Sequence, residues 1–393
     1  MDESSTIQFP SFESNGTDPV KSESEVSTNG FNGGITAILT PTMSSNGSDE
    51  KPKVCPNCAE LQRKPTNDSN NQIDSSKEDT APPGLFAPVS FESHSNGIIL
   101  ETILVDNIQA PHTGTIKIIQ LRRPNTKNAL SRQMVRELGN EIEEIHRQTY
   151  DNSTSCTRAL IITSAIDNVF CSGADLKERA TMSLSETKVF LSSLRSLLQQ
   201  LSTLPVPSIA CVSGVALGGG LELALACNLR VFASNAAVAL PETRLAIIPG
   251  AGGTYRLPQL VGTSRAMDMI LTGRRVYADE AYTMGLCNRL VLAAEREVGS
   301  KLEGETQRLE ALDASIALAT QISMGGPAAV RVALHVLRGG PDALENAAYE
   351  AVLGTEDRNE ALQAIAFKSK SQIFPARVSN STLNFALSLP AGG

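Results

Sequence analysis

The stretch from Pro207 to Arg256, PSIACVSGVALGGGLELALACNLRVFASNAAVALPETRLAIIPGAGGTYR, constrains this chain more than any other. Two glycine clusters punctuate it, Gly218-Gly219-Gly220 and Gly250-Ala251-Gly252-Gly253, and two carboxylates, Glu222 and Glu242, lie among small or apolar neighbours. From Pro207 to Ala226, Glu222 is the only charged side chain. Burying an unpaired charge is costly. Either a partner neutralises Glu222, or a site exploits its shifted pKa.

Glycines ahead of a helix let the backbone approach a ligand closely, and the first-turn N–H groups there are unpaired and favoured by the helix dipole. No Lys-Ser or Lys-Thr follows Gly218–Gly220, so the cluster is not a P-loop. The other use of this geometry is to stabilise a developing oxyanion. Glu222 falls in the same first turn as Gly219, and Gly173-Ala174-Asp175 offers a second N–H from another strand-to-helix loop. Two N–H donors and two carboxylates suit the addition or removal of a proton beside an activated carbonyl. Glycine turns and a carboxylate pair also occur as ordinary loops, and the residues alone leave both readings open. A membrane helix is a third reading of the apolar run, with its Gly214-x-x-x-Gly218 spacing. The glycine triplet, Pro207 and Glu222 itself argue against it.

In chain order, Ile98–Val105 and Thr115–Leu121 read as strands separated by the turn-rich Pro111-His112-Thr113-Gly114. Ser131 is an N-cap for a helix to about Arg147, with Met134, Val135, Leu138, Ile142 and Ile145 on one face. Ala159–Ser164 is a short apolar strand. Ser183-Leu184-Ser185-Glu186 forms a capping box for a helix carrying Val189, Leu194, Leu197, Leu198 and Leu201, stopped by Pro205 and Pro207. Strand Ser208–Val212, a glycine turn, a helix to about Asn228 and strand Leu229–Phe232 follow. This alternation predicts an α/β fold with a parallel sheet. From Thr263 to about Lys370 the pattern is mainly helical, broken at Gly339-Gly340-Pro341.

Residues 1–84 are polar, with little apolar periodicity, and read as a disordered tail ending in the linker Ala81-Pro82-Pro83-Gly84. Asp2, Glu3 and Glu13 precede the first arginine, Arg63, the reverse of a mitochondrial presequence, and no secretory h-region or peroxisomal tail is present. The net charge is -8, which gives no global attraction for nucleic acid. Seven cysteines, mostly in apolar runs, fit buried thiols in a reducing compartment rather than a disulfide framework. Cys55 and Cys58 make half a zinc site with no second pair, so no metal is expected.

Four motifs together carry a resemblance: Phe170-Cys171-Ser172-Gly173-Ala174-Asp175-Leu176-Lys177, Gly218-Gly219-Gly220-Leu221-Glu222-Leu223, Pro241-Glu242-Thr243 and Ile248-Pro249-Gly250-Ala251-Gly252-Gly253-Thr254. In this order and spacing they resemble the crotonase, or enoyl-CoA hydratase, superfamily, over roughly residues 98–375, and within it the methylglutaconyl-CoA hydratases. The resemblance implies a ββα spiral core over 85–305, a helical trimerisation region over 306–375 and a flexible end over 376–393, assembled as a homotrimer or hexamer. It implies an oxyanion hole from the N–H groups of Ala174 and Gly219. It implies Glu222 as base on a water and Glu242 as proton donor to the α-carbon, a near-symmetric pair able to exchange roles. Gly250 is expected beside the acyl group.

The implied partner is an enoyl-CoA substrate. Coenzyme A enters with the thioester, so no separate cofactor is expected. CoA contacts are expected from Arg122, Arg123, Ser172, Asp175, Leu176, Lys177, Lys368 and Lys370, basic groups suiting its phosphates. Asn125, Asn228 and Ser371 depart from the residues common in the family and put the details of CoA contact in question. Arg179 and Arg132 are candidates for a distal substrate carboxylate. Both glutamates argue against the isomerase branch, which keeps only the second. Animal relatives bind RNA through a lysine-rich first helix. Here that helix has Arg132 and Arg136 against Glu137, Glu141, Glu143 and Glu144, so no RNA binding is expected. The family role implies mitochondria, with the cytoplasm as the alternative given this N-terminus. A general short-chain enoyl-CoA hydratase, and an interaction scaffold recruiting partners through its tail, are the competing functions.

Overall fold

The structure is a computed structural model that describes residues 98–99, 101–150, 156–292, 303–339 and 342–366. The tail over 1–84, the Cys55–Cys58 pair, Lys368, Lys370 and the segment 376–393 lie outside the described residues. The chain divides into two units, Met1–Thr80 and Ala81–Gly393, and every described element belongs to the second.

Strands β1 (Ile98–Ile99), β2 (Ile103–Gln109) and β3 (Thr115–Leu121) and helix α1 (Arg132–Tyr150) come first. Three turns of a spiral follow. The first holds β4 (Thr157–Ser164), β5 (Val169–Cys171), α2 (Leu176–Ala180) and α3 (Leu184–Ser202), and the second β6 (Ser208–Val212), β7 (Val215–Leu217) and α4 (Gly219–Ala226). The third holds β8 (Leu229–Ala233), β9 (Ala237–Ala239) and a 3-10 turn, Glu242–Leu245. Then come α5 (Gly253–Val261), α6 (Thr263–Thr272), β10 (Val276–Tyr277), α7 (Ala278–Thr283), β11 (Arg289–Val291), α8 (Glu303–Ser323), α9 (Pro327–Val336), α10 (Asp342–Leu353) and α11 (Glu356–Ala366).

Each turn of the spiral gives one strand to each of two sheets. The larger runs β1-β2-β3-β4-β6-β8-β11 and the smaller β10-β9-β7-β5, with β4, β6 and β8 parallel in one and β5, β7 and β9 parallel in the other. The larger sheet is covered on both faces, as parallel strands require. Leu160, Ile162, Ala210 and Phe232 join the core under α1, α3 and α4. Ile161, Ile209 and Val231 meet Ala311, Leu312, Ile316 and Ala319 of α8. The result is an α/β spiral with a helical C-terminal region, as the resemblance implies. Among the described residues no helix is long and apolar enough to cross a membrane.

The expected strand 98–105 is instead two short strands paired antiparallel, Ile98 opposite Val105. The strands of the smaller sheet escaped the sequence pattern, because apolar strands of two or three residues show no alternation to read. Helix α1 begins as expected, with the Met134 N–H donating to Ser131 Oγ at 3.2 Å. The Ser183–Glu186 capping box of α3 is formed. The expected apolar face of α3 is corrected at one position. Phe190, Leu194, Leu197, Leu198 and Leu201 are buried, whereas Val189 is 66% exposed. The reason is register: Phe190, Leu194 and Leu197 follow 3.6-residue spacing, and Val189 shares the outer face with Ser193 and Ser196. Accordingly, Phe190→Ala should cost about 3–5 kcal/mol and Val189→Ala less than about 0.5 kcal/mol, read as a large against a negligible drop in melting temperature.

Candidate active site

Each spiral turn delivers one piece of a common site from the end of its smaller-sheet strand. After β5 comes Ser172-Gly173-Ala174-Asp175, after β7 come Gly218 and α4 with Glu222, and after β9 come Pro241 and Glu242. The parallel pairing of β5, β7 and β9 sets the three loops side by side. Gly218 N–H donates to Ala239 O at 2.9 Å, tying the second loop to the third.

The first loop is held from the other side. Leu130 N–H donates to Gly173 O at 2.8 Å, and Asp175 N–H donates to Leu130 O at 3.2 Å. In extended backbone the groups flanking a residue point opposite to its own, so Ala174 N–H faces away from Leu130. It faces α4, where a Cβ built on Gly219 would lie 3.6 Å from Ala174 N. Gly219 is the first residue of α4, so its N–H has no intrahelical acceptor. Among the described residues neither N–H donates a hydrogen bond, leaving two adjacent amide donors. The close approach needs glycine: Gly173 has φ +95°, and a Cβ there would meet Leu217 O at 2.7 Å.

Glu222 is 2% exposed. Its Oε1 accepts from Ala251 N–H and Gly253 N–H, each at 2.8 Å, so the second glycine cluster cradles the first carboxylate at the N-terminus of α5. Burial pushes the Glu222 carboxyl up, while the two amide bonds and the charges of Arg256 and Arg195 pull it down. Glu242 is also buried, and its Oε2 has no hydrogen-bond partner among the described residues. Burial raises its pKa to about 7, and the charge of Glu222 adds to the rise. One carboxylate is therefore firmly held, while the other is open to a ligand and poised to carry a proton near neutrality.

Both glutamates line one cavity of about 570 Å³. The structure brings Ser172, Ala174, Leu176, Gly219 and Gly250 to its wall, together with Arg179. Three other residues expected at the site, Arg123, Asp175 and Lys177, do not line this cavity. Arg123 forms an ion pair with Asp175 at 3.1 Å, and Asp175 caps α2 by accepting from Glu178 N–H. Both shape the loop that carries Ala174. Lys177 is exposed on α2 outside the cavity wall. Arg132 pairs with Glu178 and Glu186 and lines a separate groove. Asn228 Oδ1 accepts from both the N–H and the hydroxyl of Ser208, bracing β6.

Sequence reasoning missed three residues. Asn128, buried at φ +55°, accepts from Arg123 N–H and donates to Ser164 Oγ and Phe170 O, pinning the start of the first loop. Arg256 donates to Ala251 O at 2.9 Å, and Arg195 donates from Nε to Gly250 O at 2.5 Å. The positive φ of Asn128 and the position of Arg195 on the cavity side of α3 leave no local signal. Arg256, three residues after Gly253 of the glycine cluster, was the one within reach. Among the described residues no group of His, Cys, Asp or Glu is arranged to hold a metal.

The profile of the enoyl-CoA hydratase/isomerase family matches residues 112–333, more than half of the chain. The chain belongs to this family. Among crotonase-family relatives, it is 61% identical over 269 residues to an enoyl-CoA isomerase/hydratase of Penicillium crustosum, covering 68% of this chain but only 30% of that protein. It is 45% identical over 298 residues to methylglutaconyl-CoA hydratase 1, mitochondrial, of Pyricularia oryzae, covering 68% of this chain and 85% of that one. The crystal structure of an enoyl-CoA hydratase from Bacillus anthracis matches with a TM-score of 0.60 at 37% identity, covering 69% of this chain and 99% of that chain. The crotonase fold and membership of the enoyl-CoA hydratase/isomerase family are thereby set.

Gly218 tests how tightly this site is built. It has φ +51°, and a Cβ there would lie 2.9 Å from Glu242 Oε1. Gly218→Ala should therefore leave a folded protein, by circular dichroism, whose kcat on an enoyl-CoA is reduced about 100-fold, the scale of a 1 Å misplacement.

Proposed function

We propose that the protein is an enoyl-CoA hydratase that adds water across the 2,3 double bond of a CoA thioester. The observation that carries this reading is the convergence of two buried carboxylates and two free amide donors on one cavity. The N–H groups of Ala174 and Gly219 take the thioester oxygen and stabilise the negative charge that develops there when C3 is attacked. Glu222, ionised and held by two amides, removes a proton from the attacking water. Glu242, protonated, delivers a proton to C2. The proton gained by one carboxylate and lost by the other exchanges before the next turnover. Shifting a double bond needs one carboxylate to move a proton, whereas hydration uses two, which favours the hydratase.

Within this class we assign 3-methylglutaconyl-CoA as the substrate. The methylglutaconyl-CoA hydratase of Pyricularia oryzae supports it, as does Arg179 on the cavity wall, a cation for a distal carboxylate. The apolar wall of Leu176, Leu191, Leu194 and Ile248 favours a second reading, a plain short-chain enoyl-CoA. The mitochondrial relative likewise supports a mitochondrial setting. Exposed apolar side chains on the C-terminal helices, such as Tyr349 and Ile365, support assembly as a trimer or hexamer. The acidic α1, whose Arg132 is already paired, supports the absence of RNA binding.

Loss of the enoyl absorbance on adding enzyme tests the reaction. Glu222→Gln and Glu242→Gln should each lower kcat by about 10²–10⁴, and near-normal turnover in both would overturn the mechanism. Glu242 donates only while protonated, so with a pKa of about 7 kcat/KM should fall as pH rises through about 7, a limb belonging to the coupled pair. Comparing methylglutaconyl-, crotonyl- and methylcrotonyl-CoA decides the acyl group. Arg179→Ala should weaken turnover of the dicarboxyl substrate alone, and an equal loss on crotonyl-CoA would remove the selectivity argument.

A further inference from the structure

The peptide group between Gly250 and Ala251 is hydrogen-bonded at both ends. Its carbonyl accepts from Arg195 Nε at 2.5 Å, and its N–H donates to Glu222 Oε1 at 2.8 Å. Arg195 reaches this carbonyl from α3 with the rest of its guanidinium exposed at the cavity wall. The next two peptide groups are held once each: Arg256, 7% exposed, donates to the carbonyl of the Ala251–Gly252 peptide at 2.9 Å, and the N–H of the Gly252–Gly253 peptide gives the second bond to Glu222. A cation on a peptide carbonyl polarises the amide and strengthens the bond its N–H donates.

We propose that Arg195 is a positioning residue for Glu222, acting through the Gly250–Ala251 peptide group to hold that carboxylate in place and ionised. The inference rests on Glu222 being the proton acceptor of the reaction. Arg256 is the buried half of the same clamp and fixes the loop's shape. Arg195 is the exposed half, and its loss leaves the core untouched.

The charged groups facing Glu222 are Arg195 from α3, Arg256 from α5 and Glu242 from the 3-10 turn. The thiols on elements packed against α4 stay neutral, because burial raises Cys171 and Cys227 to about 12 and raises Cys211 as well. Arg195 is thus one of two cations that offset the burial of Glu222. Without it the Glu222 carboxyl binds its proton more readily, and the base is lost at the acid side of the profile while the alkaline side, set by Glu242, stays.

The test compares Arg195→Gln and Arg195→Lys with wild type, using kcat/KM against pH on crotonyl-CoA, which lacks a distal carboxylate. A ¹³C NMR titration of the glutamate carboxyls, with Glu222→Gln to assign the signal, runs beside it. For Arg195→Gln the acid limb should move to higher pH. Activity one unit below the wild-type limb should fall about three- to tenfold, and activity at the optimum less than about twofold. Arg195→Lys, which keeps the charge, should lie between. A uniform loss at all pH values with an unmoved limb, or a loss confined to a dicarboxyl substrate, would overturn the proposal. So would an unmoved Glu222 titration. If wild type hydrates no enoyl-CoA, the functional reading falls, while the NMR titration still decides the link from Arg195 to Glu222.

Discussion

Parallel pairing among β5, β7 and β9, three residues each, is the interaction on which the rest of the site depends. These strands are short, though they bring Phe170, Ala216 and Val238 into the core. Their role is registration: whatever leaves their C-terminal ends leaves in a row. The larger sheet, closed on both faces by helices, fixes the spacing of the spiral turns. The smaller sheet converts that spacing into a fixed distance between Ala174, Gly219 and Glu242. A one-residue slip in a pairing would turn an amide or carboxylate away from the cavity. Hydrogen bonds such as Gly218 N–H to Ala239 O and the Leu130 bridge to the first loop guard against that slip from both sides.

Given this frame, two chemically identical side chains are made different by what surrounds them. Glu222 receives two backbone N–H groups at the start of α5 and two nearby guanidinium groups, all of which favour its charge against burial. Glu242 has only its own backbone N–H and no facing guanidinium group to favour its charge, and its Oε2 has no hydrogen-bond partner among the described residues. Burial raises both carboxyls, and at Glu242, where the charge of Glu222 adds to it, the pKa reaches about 7. Ionising one carboxylate makes it harder to ionise the other, so the pair favours one proton between them. That state is suited to giving a proton on one side of a double bond and taking one on the other.

Most of this was legible in the sequence because glycine and isolated charge are loud signals. Glu222 alone in an apolar run, Gly218 and Gly219 of the first glycine cluster, and Gly173-Ala174 all marked positions that the structure brings to one cavity. The alternation of apolar strands with capped helices marked the larger sheet and α3. The smaller sheet was silent, since three-residue strands have no period. The apolar face of α3 was misread at Val189 because the choice between neighbouring apolar residues depends on helix phase, which Phe190 decides. The second glycine cluster was read as shaping the acyl pocket. Gly250 does line the cavity, but Ala251 and Gly253 turn their amides to Glu222, a contact across sequence that no local pattern announces. Arg123 and Asp175, read as coenzyme A contacts, are engaged with each other in bracing the first loop.

The site is built largely from backbone, and this divides the chain into positions that can vary and positions that cannot. An amide donor is present in any residue, but Gly173 and Gly220 are confined by contact: a Cβ would lie 2.7 Å from Leu217 O in one case and 2.3 Å from Cys171 O in the other. Those distances exclude every side chain, whatever its chemistry. The cavity wall has no such limit. Leu176, Leu191, Arg179 and Ile248 reach it by their side chains, from α2, α3 and the loop before the second glycine cluster. Exchanging them reshapes the cavity wall without moving an amide or a carboxylate. The amides and carboxylates are thus placed by the paired strands, while the rest of the cavity wall comes from side chains of α2, α3 and the loop laid over them.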